Sequence, residues 1–319
     1  MKQHHKNIQE GMKDVYQRIT DEVLVHLEKG EVIWRKGWSS FGMPKNIATG
    51  RMYQGWNMFL LNFITMTKSY KTPFFMTYKQ AMDMGGTIRK GQKGYPVVWW
   101  AAIESKKNKD CDESEQEEGH AENTVQYRVP KLHTVFNIDQ TQGIEFPKVE
   151  ACMHSHSSKI NACEEVVSNM PQRPDIRFGG DRAFYHPTED FIKLPEVERF
   201  YSDENYYAVL FHELAHSTGH ASRLNRKELV ETDGFGGENY SKEELTAELT
   251  ASFLCGICGI GQATIENSAA YIRSWLDELK KDKRFILKAA TQAQAAADFI
   301  LGAKQAVTPA ALHQATLAA

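Results

Sequence analysis

The chain has 319 residues, of which 41% are hydrophobic, and this length is enough for two domains that each bury a core. Its net charge of −3 hides an asymmetry, because residues 1–100 carry 15 Lys+Arg against 7 Asp+Glu and the remainder carries 23 against 34. The five cysteines form no disulfide framework, and no apolar run has the length of a membrane span or the character of a signal peptide. We therefore expect a cytoplasmic protein, without a membrane partner, whose two parts meet different partners.

The basic first part is predicted to be a small α+β domain over residues 1–145. Apolar residues at spacings of three and four indicate amphipathic helices, and Gly85–Gly94 has the composition of a turn-rich basic hairpin. Helices are predicted over 7–29, after Trp56 and from Phe75 to Ala81, and strands over 97–101, 125–129 and 132–140.

Five of the six tryptophans lie in the first 100 residues, among clustered lysines and arginines. Single-stranded nucleic acid needs this combination, with cations along the phosphates and flat side chains for the bases. The competing interpretation is a core of aromatic residues with a solvated charged surface. The residues predicted to contact DNA are Trp34, Arg35, Lys36, Trp38, Arg51, Tyr53, Trp56, Asn57, Lys79, Arg89, Lys90 and Lys93.

Composition also divides the rest of the chain. Residues 104–124 are acidic and nearly free of large apolar side chains, which predicts a mobile loop between two strands. A linker is predicted over 146–158, a second and mainly helical domain with a short β-sheet over 159–302, and an Ala-rich tail over 303–319. The predicted elements of the second domain are a helix over 161–170, strands over 182–186 and 190–194, and late helices over 268–281 and 283–302.

The second domain contains the pattern H-E-x-x-H from His212 to His216. On a helix, positions i and i+4 share a face, so both imidazoles can hold one metal ion. Glu213 is then placed to accept a proton from the water molecule that the ion activates. Gly219 follows the apolar stretch and predicts the end of the helix.

A third protein ligand is needed, and three residues are candidates. His220 lies two turns from His212, roughly 12 Å along a helix, which is too far for one ion. Glu244 and Glu248 share a face of a later helix, whose start is predicted at Ser241 by a capping box. This arrangement resembles that of thermolysin-like (gluzincin) enzymes, which implies that Glu244 binds the metal and Glu248 orients a histidine; the reverse assignment stays open.

Several blocks in order resemble the ArdC-type antirestriction proteins of conjugative plasmids and related mobile elements. The resemblance covers most of residues 10–300 and implies a single-stranded-DNA-binding N-terminal domain followed by a zincin-like metallopeptidase domain. One departure is Gly37, where family members often have proline, and the acidic segment 104–124 is not an expected shared feature. The matching blocks begin at Trp34, Tyr53, Thr77, Arg89, Thr134, Tyr185, His212 and Tyr240.

The leading hypothesis is thus an antirestriction protein that binds single-stranded DNA and hydrolyses peptide bonds at a Zn²⁺ site, with Mn²⁺ as another possible ion. Glu213 would accept a proton from water and return it to the leaving amine, with Tyr240 or His220 as candidates to stabilise the oxyanion. Host restriction or DNA-processing proteins are the candidate protein substrates. The alternative is a non-catalytic DNA-binding protein whose metal site is structural or vestigial. A nuclease is disfavoured, since nucleases usually group several carboxylates around two metals.

Overall fold

The fold is α+β, as the sequence predicted, with short sheets and a mainly helical C-terminal half. No helix within the described ranges is both long enough and apolar enough to cross a membrane. The structure is a computed structural model that describes residues 17, 19–32, 34, 42–106, 124–145, 156–231, 237–261 and 268–303, with the backbone alone described for 100–106, 124–130 and 268–270.

The N-terminal half is organised around a four-stranded sheet with the order β1-β2-β5-β4 and a two-stranded sheet of β3 and β6. In β4 and β5 the chain forms a long antiparallel ribbon, in which Tyr95 pairs with Val135 and Lys106 with Thr124. The helices are α1 (19–28), α2 (Gly55–Thr67) and α3 (Tyr78–Asp83), and the strands are β1 (Lys45–Asn46), β2 (Phe74–Thr77), β3 (Thr87–Ile88), β4 (Tyr95–Lys106), β5 (Thr124–Asn137) and β6 (Thr141–Gln142).

Two local predictions in this half were wrong. The predicted helix from Phe75 instead begins at Tyr78, because Thr77 caps it in a capping box with Gln80 and the preceding residues form β2. The basic segment from Gly85 to Gly94 is not a self-contained hairpin, since its strand β3 pairs with β6. Most of the predicted loop and linker, 107–123 and 146–155, lies outside the described residues.

The C-terminal half packs helices against a three-stranded sheet with the order β7-β9-β8. Strand β7 runs parallel to β9 and was not predicted, because its burial is too slight to leave an apolar alternation in the sequence. The elements are α4 (His156–Asn169), β7 (Asp175–Phe178), β8 (Phe184–His186), β9 (Phe191–Leu194), α5 (Asp203–Thr218), α6 (Lys227–Val230), α7 (Glu238–Cys258), α8 (Ser268–Lys281) and α9 (Phe285–Ile300).

A hydrophobic core extends through both halves of the chain and fixes their relation. The ring of Trp34 packs 5.6 Å from Trp275 and 6.1 Å from Phe59, between centroids. A hydrogen bond also joins the two halves, because Ser252 in α7 donates to the carbonyl of Trp34 at 2.7 Å. Helix α7 therefore contacts the N-terminal half directly.

Helix α7 begins earlier than its sequence indicated. Its first residue is Glu238, after the extended residue Gly237, so the predicted start at Ser241 was wrong. Ser241 lies in the first turn, where its hydroxyl donates 2.8 Å to the carbonyl of Gly237. Because the helix begins at Glu238, Glu244 lies well inside it, with at least one complete turn on either side.

Candidate functional site

The first metal-bearing helix, α5, has well-defined ends and a buried interior. Ser202 caps its N-terminus by accepting from the amide of Asn205 at 3.1 Å, and Gly219 follows its last turn as predicted. His212 and His216 are 5% and 9% exposed, so both imidazoles lie below the surface. A buried polar pair at one helical turn needs nearby partners, and α7 supplies them.

Three groups of α5 and α7 converge on one point. The Nε2 atoms of His212 and His216 are 3.0 Å apart, and carboxylate oxygens of Glu244 lie 3.5 Å from the first and 3.6 Å from the second. Ligands of a tetrahedral zinc ion at 2.0–2.1 Å lie about 3.3 Å from one another. The three separations therefore fit a divalent ion shared by His212, His216 and Glu244.

Two further glutamates of α7 contact the opposite nitrogens of the same imidazoles. Glu248 Oε2 lies 3.8 Å from His212 Nδ1, and Glu243 Oε1 lies 3.2 Å from His216 Nδ1. Glu248 is thus beside His212, at a separation longer than a hydrogen bond. Glu243 was missed by the sequence analysis, since it is not on the Glu244–Glu248 face.

The charged groups of the site shift one another's pKa values. Burial lowers the pKa of His212, but Glu244, Glu213 and Glu248 raise it, and the pKa reaches about 9. For Glu244 burial acts upward, yet His216 and His212 together lower its pKa. Burial likewise acts upward on Glu243, but Arg226 lowers its pKa to about 2. The site is therefore an array of buried carboxylates that requires positive charge.

Glu213 lies in the same buried region but is not one of the three converging groups. Burial raises its pKa, against the opposing effects of His212 and His216, and the backbone amide of Tyr185 in β8 also acts on its carboxylate. Its position between the histidines and an edge strand suits a base that must accept a proton. The edge strand is itself anchored, because Tyr185 Oη donates to Asp190 Oδ1 at 2.7 Å.

Of the two residues suggested for the oxyanion, only Tyr240 is near the ligands. Its hydroxyl lies 3.1 Å from that of Tyr271, and its hydrogen bond to Glu244 contributes to the lowered pKa of that acid. Burial raises the pKa of Tyr240, so it keeps its proton at neutral pH. His220 instead contacts the hydroxyl of Ser222 at 2.8 Å.

The residues predicted to contact DNA differ in their surroundings. Trp34 and Trp56 are 2% and 6% exposed, so both rings serve the hydrophobic core and not a base-stacking surface. Asn57 bonds both backbone groups of Val98 and thereby joins α2 to β4. Tyr53 is half-buried against Phe75. Arg35, Lys36 and Trp38 lie outside the described residues, and the exposed candidates are Arg51, Lys79, Arg89, Lys90 and Lys93.

Trp99 was not among those candidates, yet it is 56% exposed on the β4–β5 ribbon. Lys131 is directly opposite it across the two strands, and two residues back Val97 is buried opposite His133. The exposure of Trp99 follows from the point at which the ribbon leaves the core, and no local pattern encodes that point.

Comparisons with known proteins agree with this architecture. Residues 13–136 match the N-terminal domain of the anti-restriction factor ArdC, and residues 161–292 match the zincin-like metallopeptidase family. The crystal structure of the antirestriction protein ArdC from plasmid R388, in its metal-free form, superposes with a TM-score of 0.69 at 36% identity, over 90% of this chain and 96% of that one. A Mn(II)-bound structure of the same protein gives a TM-score of 0.69 at 35% identity, over 90% and 97%.

Two proteins of different length are similar in sequence to most of this chain. The uncharacterized protein y4eC of Sinorhizobium fredii is 31% identical over 90% of this chain and 91% of its own length. A DNA primase TraC of Escherichia coli is 35% identical over 93% of this chain, which spans 28% of that primase. With both halves matched in order and the His-His-Glu metal site formed, the chain belongs to the ArdC family of antirestriction proteins.

Proposed function

We propose that this chain binds single-stranded DNA through its basic N-terminal half and hydrolyses peptide bonds at a metal-dependent site in its C-terminal half. The observation that carries the proposal is the convergence of His212, His216 and Glu244, with Glu213 buried beside them. In an antirestriction protein, the two activities would together protect incoming DNA from restriction enzymes or other DNA-processing proteins.

His212, His216 and Glu244 would hold the divalent ion. Imidazole and carboxylate ligands suit zinc and are also compatible with manganese, which a structure of the R388 relative contains. When bound, such an ion supplies Lewis-acid activation of water and of a carbonyl group. Glu248, beside His212, would keep that imidazole oriented.

The protein groups around the ligands would perform the proton transfers. Glu213, whose pKa is raised by burial, would accept a proton from water and deliver it to the leaving amine. The neutral phenol of Tyr240 would donate a hydrogen bond to the oxygen that gains negative charge. An extended peptide could add to the edge of β8, which approaches Glu213 through Tyr185.

The DNA-binding proposal depends on exposed cations and on the exposed ring of Trp99. Arg51, Lys79, Arg89 and Lys90 are exposed in the N-terminal half, and Trp99 offers a ring opposite Lys131. Cations neutralise phosphates and flat rings stack on bases without sequence preference. We accordingly expect binding to single strands with a steep dependence on salt.

The decisive experiment compares wild type, Glu213→Gln and the same-helix control Glu204→Gln. Each is loaded with Zn²⁺ or Mn²⁺ and assayed for cleavage of a peptide library and of restriction enzymes, for oligo-dT binding, and for protection of DNA. We expect Glu213→Gln to keep metal and DNA binding but to lose cleavage, while Glu204→Gln behaves as wild type. Equal protection by wild type and Glu213→Gln, with no cleavage by either, would favour the non-catalytic alternative.

A further inference from the structure

Glu243, the residue before the candidate ligand Glu244, contacts His216 on the side of the ring away from the metal site. Glu243 is 4% exposed, and its Oε1 lies 3.2 Å from Nδ1 of His216. The other nitrogen of that ring, Nε2, faces Glu244 at 3.6 Å. One imidazole is therefore held between two neighbouring carboxylates, one on each of its nitrogens.

Glu243 is itself fixed by a buried guanidinium. Arg226 is 6% exposed and donates to both carboxylate oxygens of Glu243, from Nε at 2.9 Å and from Nη2. Its remaining bonds reach the last turn of α5, at Thr218 Oγ1 and at the carbonyl of Ala215, the latter at 2.8 Å. A two-pronged pair of this kind fixes direction as well as charge. Arg226 thus ties the end of one metal-bearing helix to the start of the other.

We propose that Glu243 and Arg226 form a positioning pair, in which Arg226 orients Glu243 and Glu243 accepts the Nδ1 proton of His216, so that Nε2 is left as the metal ligand. The inference rests on the proposed metal site and deepens it. A metal-binding histidine commonly donates its second nitrogen to a carboxylate, which fixes both the tautomer and the ring plane. Glu243 is not a catalytic residue, because it acts only through His216.

The packing around Gly219 is independent evidence that the guanidinium of Arg226 has a fixed place in the fold. A Cβ added at Gly219 would lie 2.9 Å from Nη2 of Arg226 and 2.9 Å from a methyl of Leu229. The backbone of Gly219 has a φ of −75°, which any residue adopts. A side chain at position 219 would therefore displace the Arg226 guanidinium or Leu229, whereas the turn itself makes no demand for glycine. The end of the H-E-x-x-H helix leaves room for this pair.

The test measures metal affinity and folding on the full chain, and it needs no substrate. Dissociation constants for Mn²⁺ and Zn²⁺ are determined by competition with a chelator, and unfolding of the metal-free protein is followed in urea. The variants are Glu243→Gln, Arg226→Lys and their combination, with Glu238→Gln as an exposed control on the same helix. We expect Glu243→Gln to weaken metal binding about 10- to 100-fold, as removal of an orienting carboxylate does.

Arg226→Lys should weaken metal binding less than Glu243→Gln does. In the Glu243→Gln background, Arg226→Lys should cause almost no further loss of metal affinity, because both changes remove the same linked interaction. Glu238→Gln should bind as wild type. Folded Glu243→Gln protein with wild-type affinity would overturn the positioning pair, as would full additivity of the two changes. Wild-type protein without metal binding would instead overturn the metal site itself.

Replacing Arg226 and Glu243 together gives a variant that is expected to fold even if the single variants do not. Exchanging a buried ion pair for apolar residues of similar volume is often neutral or stabilising, whereas removing one partner is costly. Arg226→Met combined with Glu243→Leu should therefore fold and still bind metal more weakly than wild type. Wild-type affinity in this folded double variant would also overturn the proposal.

Discussion

The two halves of the molecule use polar residues in opposite ways. In the C-terminal half, His212, Glu243 and Glu248 are at least 95% buried; Glu248 lies beside His212, and Glu243 lies beside His216. In the N-terminal half, Lys79, Arg89 and Lys90 are exposed, whereas Trp34 and Trp56 lie in the core. Buried polar groups must be satisfied by specific neighbours, while exposed ones need only water. The first kind of site is fixed by geometry, and the second by net charge and access.

The difference also determines what each half can recognise. A site made of buried imidazoles and carboxylates discriminates by coordination distance and responds steeply to the loss of a single side chain. A surface of exposed cations and exposed rings would distribute its affinity over several weak contacts. The contrast matters most for the tryptophans, because a ring in the core stabilises the fold and a ring at the surface can stack on a base.

The largest expected effect is on stability. Trp34→Ala removes a ring packed against Trp275 and Phe59, and should lower the free energy of unfolding by about 3–5 kcal/mol. Trp99→Ala, at an exposed position, should change it by less than about 0.5 kcal/mol. Urea unfolding of both variants measures the difference. Similar losses in the two would contradict the division between core and surface rings.

The next effect concerns the third ligand. Glu244→Ala should reduce Mn²⁺ or Zn²⁺ affinity by more than the roughly 10- to 100-fold that an orienting residue contributes, whereas Glu248→Ala should stay within that range. The reason is that Glu244 approaches both Nε2 atoms, while Glu248 faces Nδ1 of His212. Chelator competition gives both values. A greater loss in Glu248→Ala would restore the reverse assignment.

The sequence predicted the grouping of His212, His216 and Glu244 better than the exposure of the tryptophans, for a physical reason. Helix periodicity alone places His212 near His216 and Glu244 near Glu248, so local spacing carries the geometry. What spacing cannot supply is the approach of one helix to another. The contact of Glu243 with His216, and of Arg226 with Glu243, depends on how α5 and α7 cross, and both were missed.

In the N-terminal half, local sequence pattern predicted the elements but not which aromatic rings are exposed. Its fold class, the helix after Trp56 and the strands of the ribbon followed from local pattern. Whether a tryptophan among cations faces solvent depends on long-range packing, as when Trp34 meets Trp275 more than two hundred residues away in sequence. Composition therefore indicated a basic, aromatic domain but could not separate Trp99 from the buried rings.

An intermediate effect is expected from the exposed ring of Trp99. Trp99→Ala should weaken binding of labelled oligo-dT by about 1–3 kcal/mol, the range for loss of one base-stacking side chain. Trp99→Phe retains a smaller ring and should lose less. Fluorescence anisotropy at fixed salt provides the comparison. Unchanged affinity in Trp99→Ala would remove this ring from the proposed DNA surface.

A smaller effect is expected from the anchor of the edge strand. Burial raises the pKa of Asp190, but the bonds to Arg223 and Tyr185 lower it below the ordinary value of 3.8. A carboxylate with a lowered folded pKa stabilises fully above its unfolded pKa, and that contribution is lost as pH falls through the folded pKa. The stability difference between wild type and Asp190→Asn should therefore be constant above about pH 5 and shrink below about pH 4. Asp175→Asn, at an exposed strand position, is the control, and a difference that grows in acid would contradict the assignment.

The smallest effect is in the salt dependence of DNA binding. If Lys90 contacts one phosphate, Lys90→Ala should reduce the slope of log affinity against log salt by about 0.7, the value for one contact with a single strand. Lys280→Ala, an exposed lysine of the C-terminal half, should leave the slope unchanged. Titrations at several salt concentrations separate the two, because a general loss of positive charge would affect both variants alike. Equal slopes for the two variants would mean that the basic N-terminal half attracts DNA through its overall field and not through a defined path of phosphate contacts.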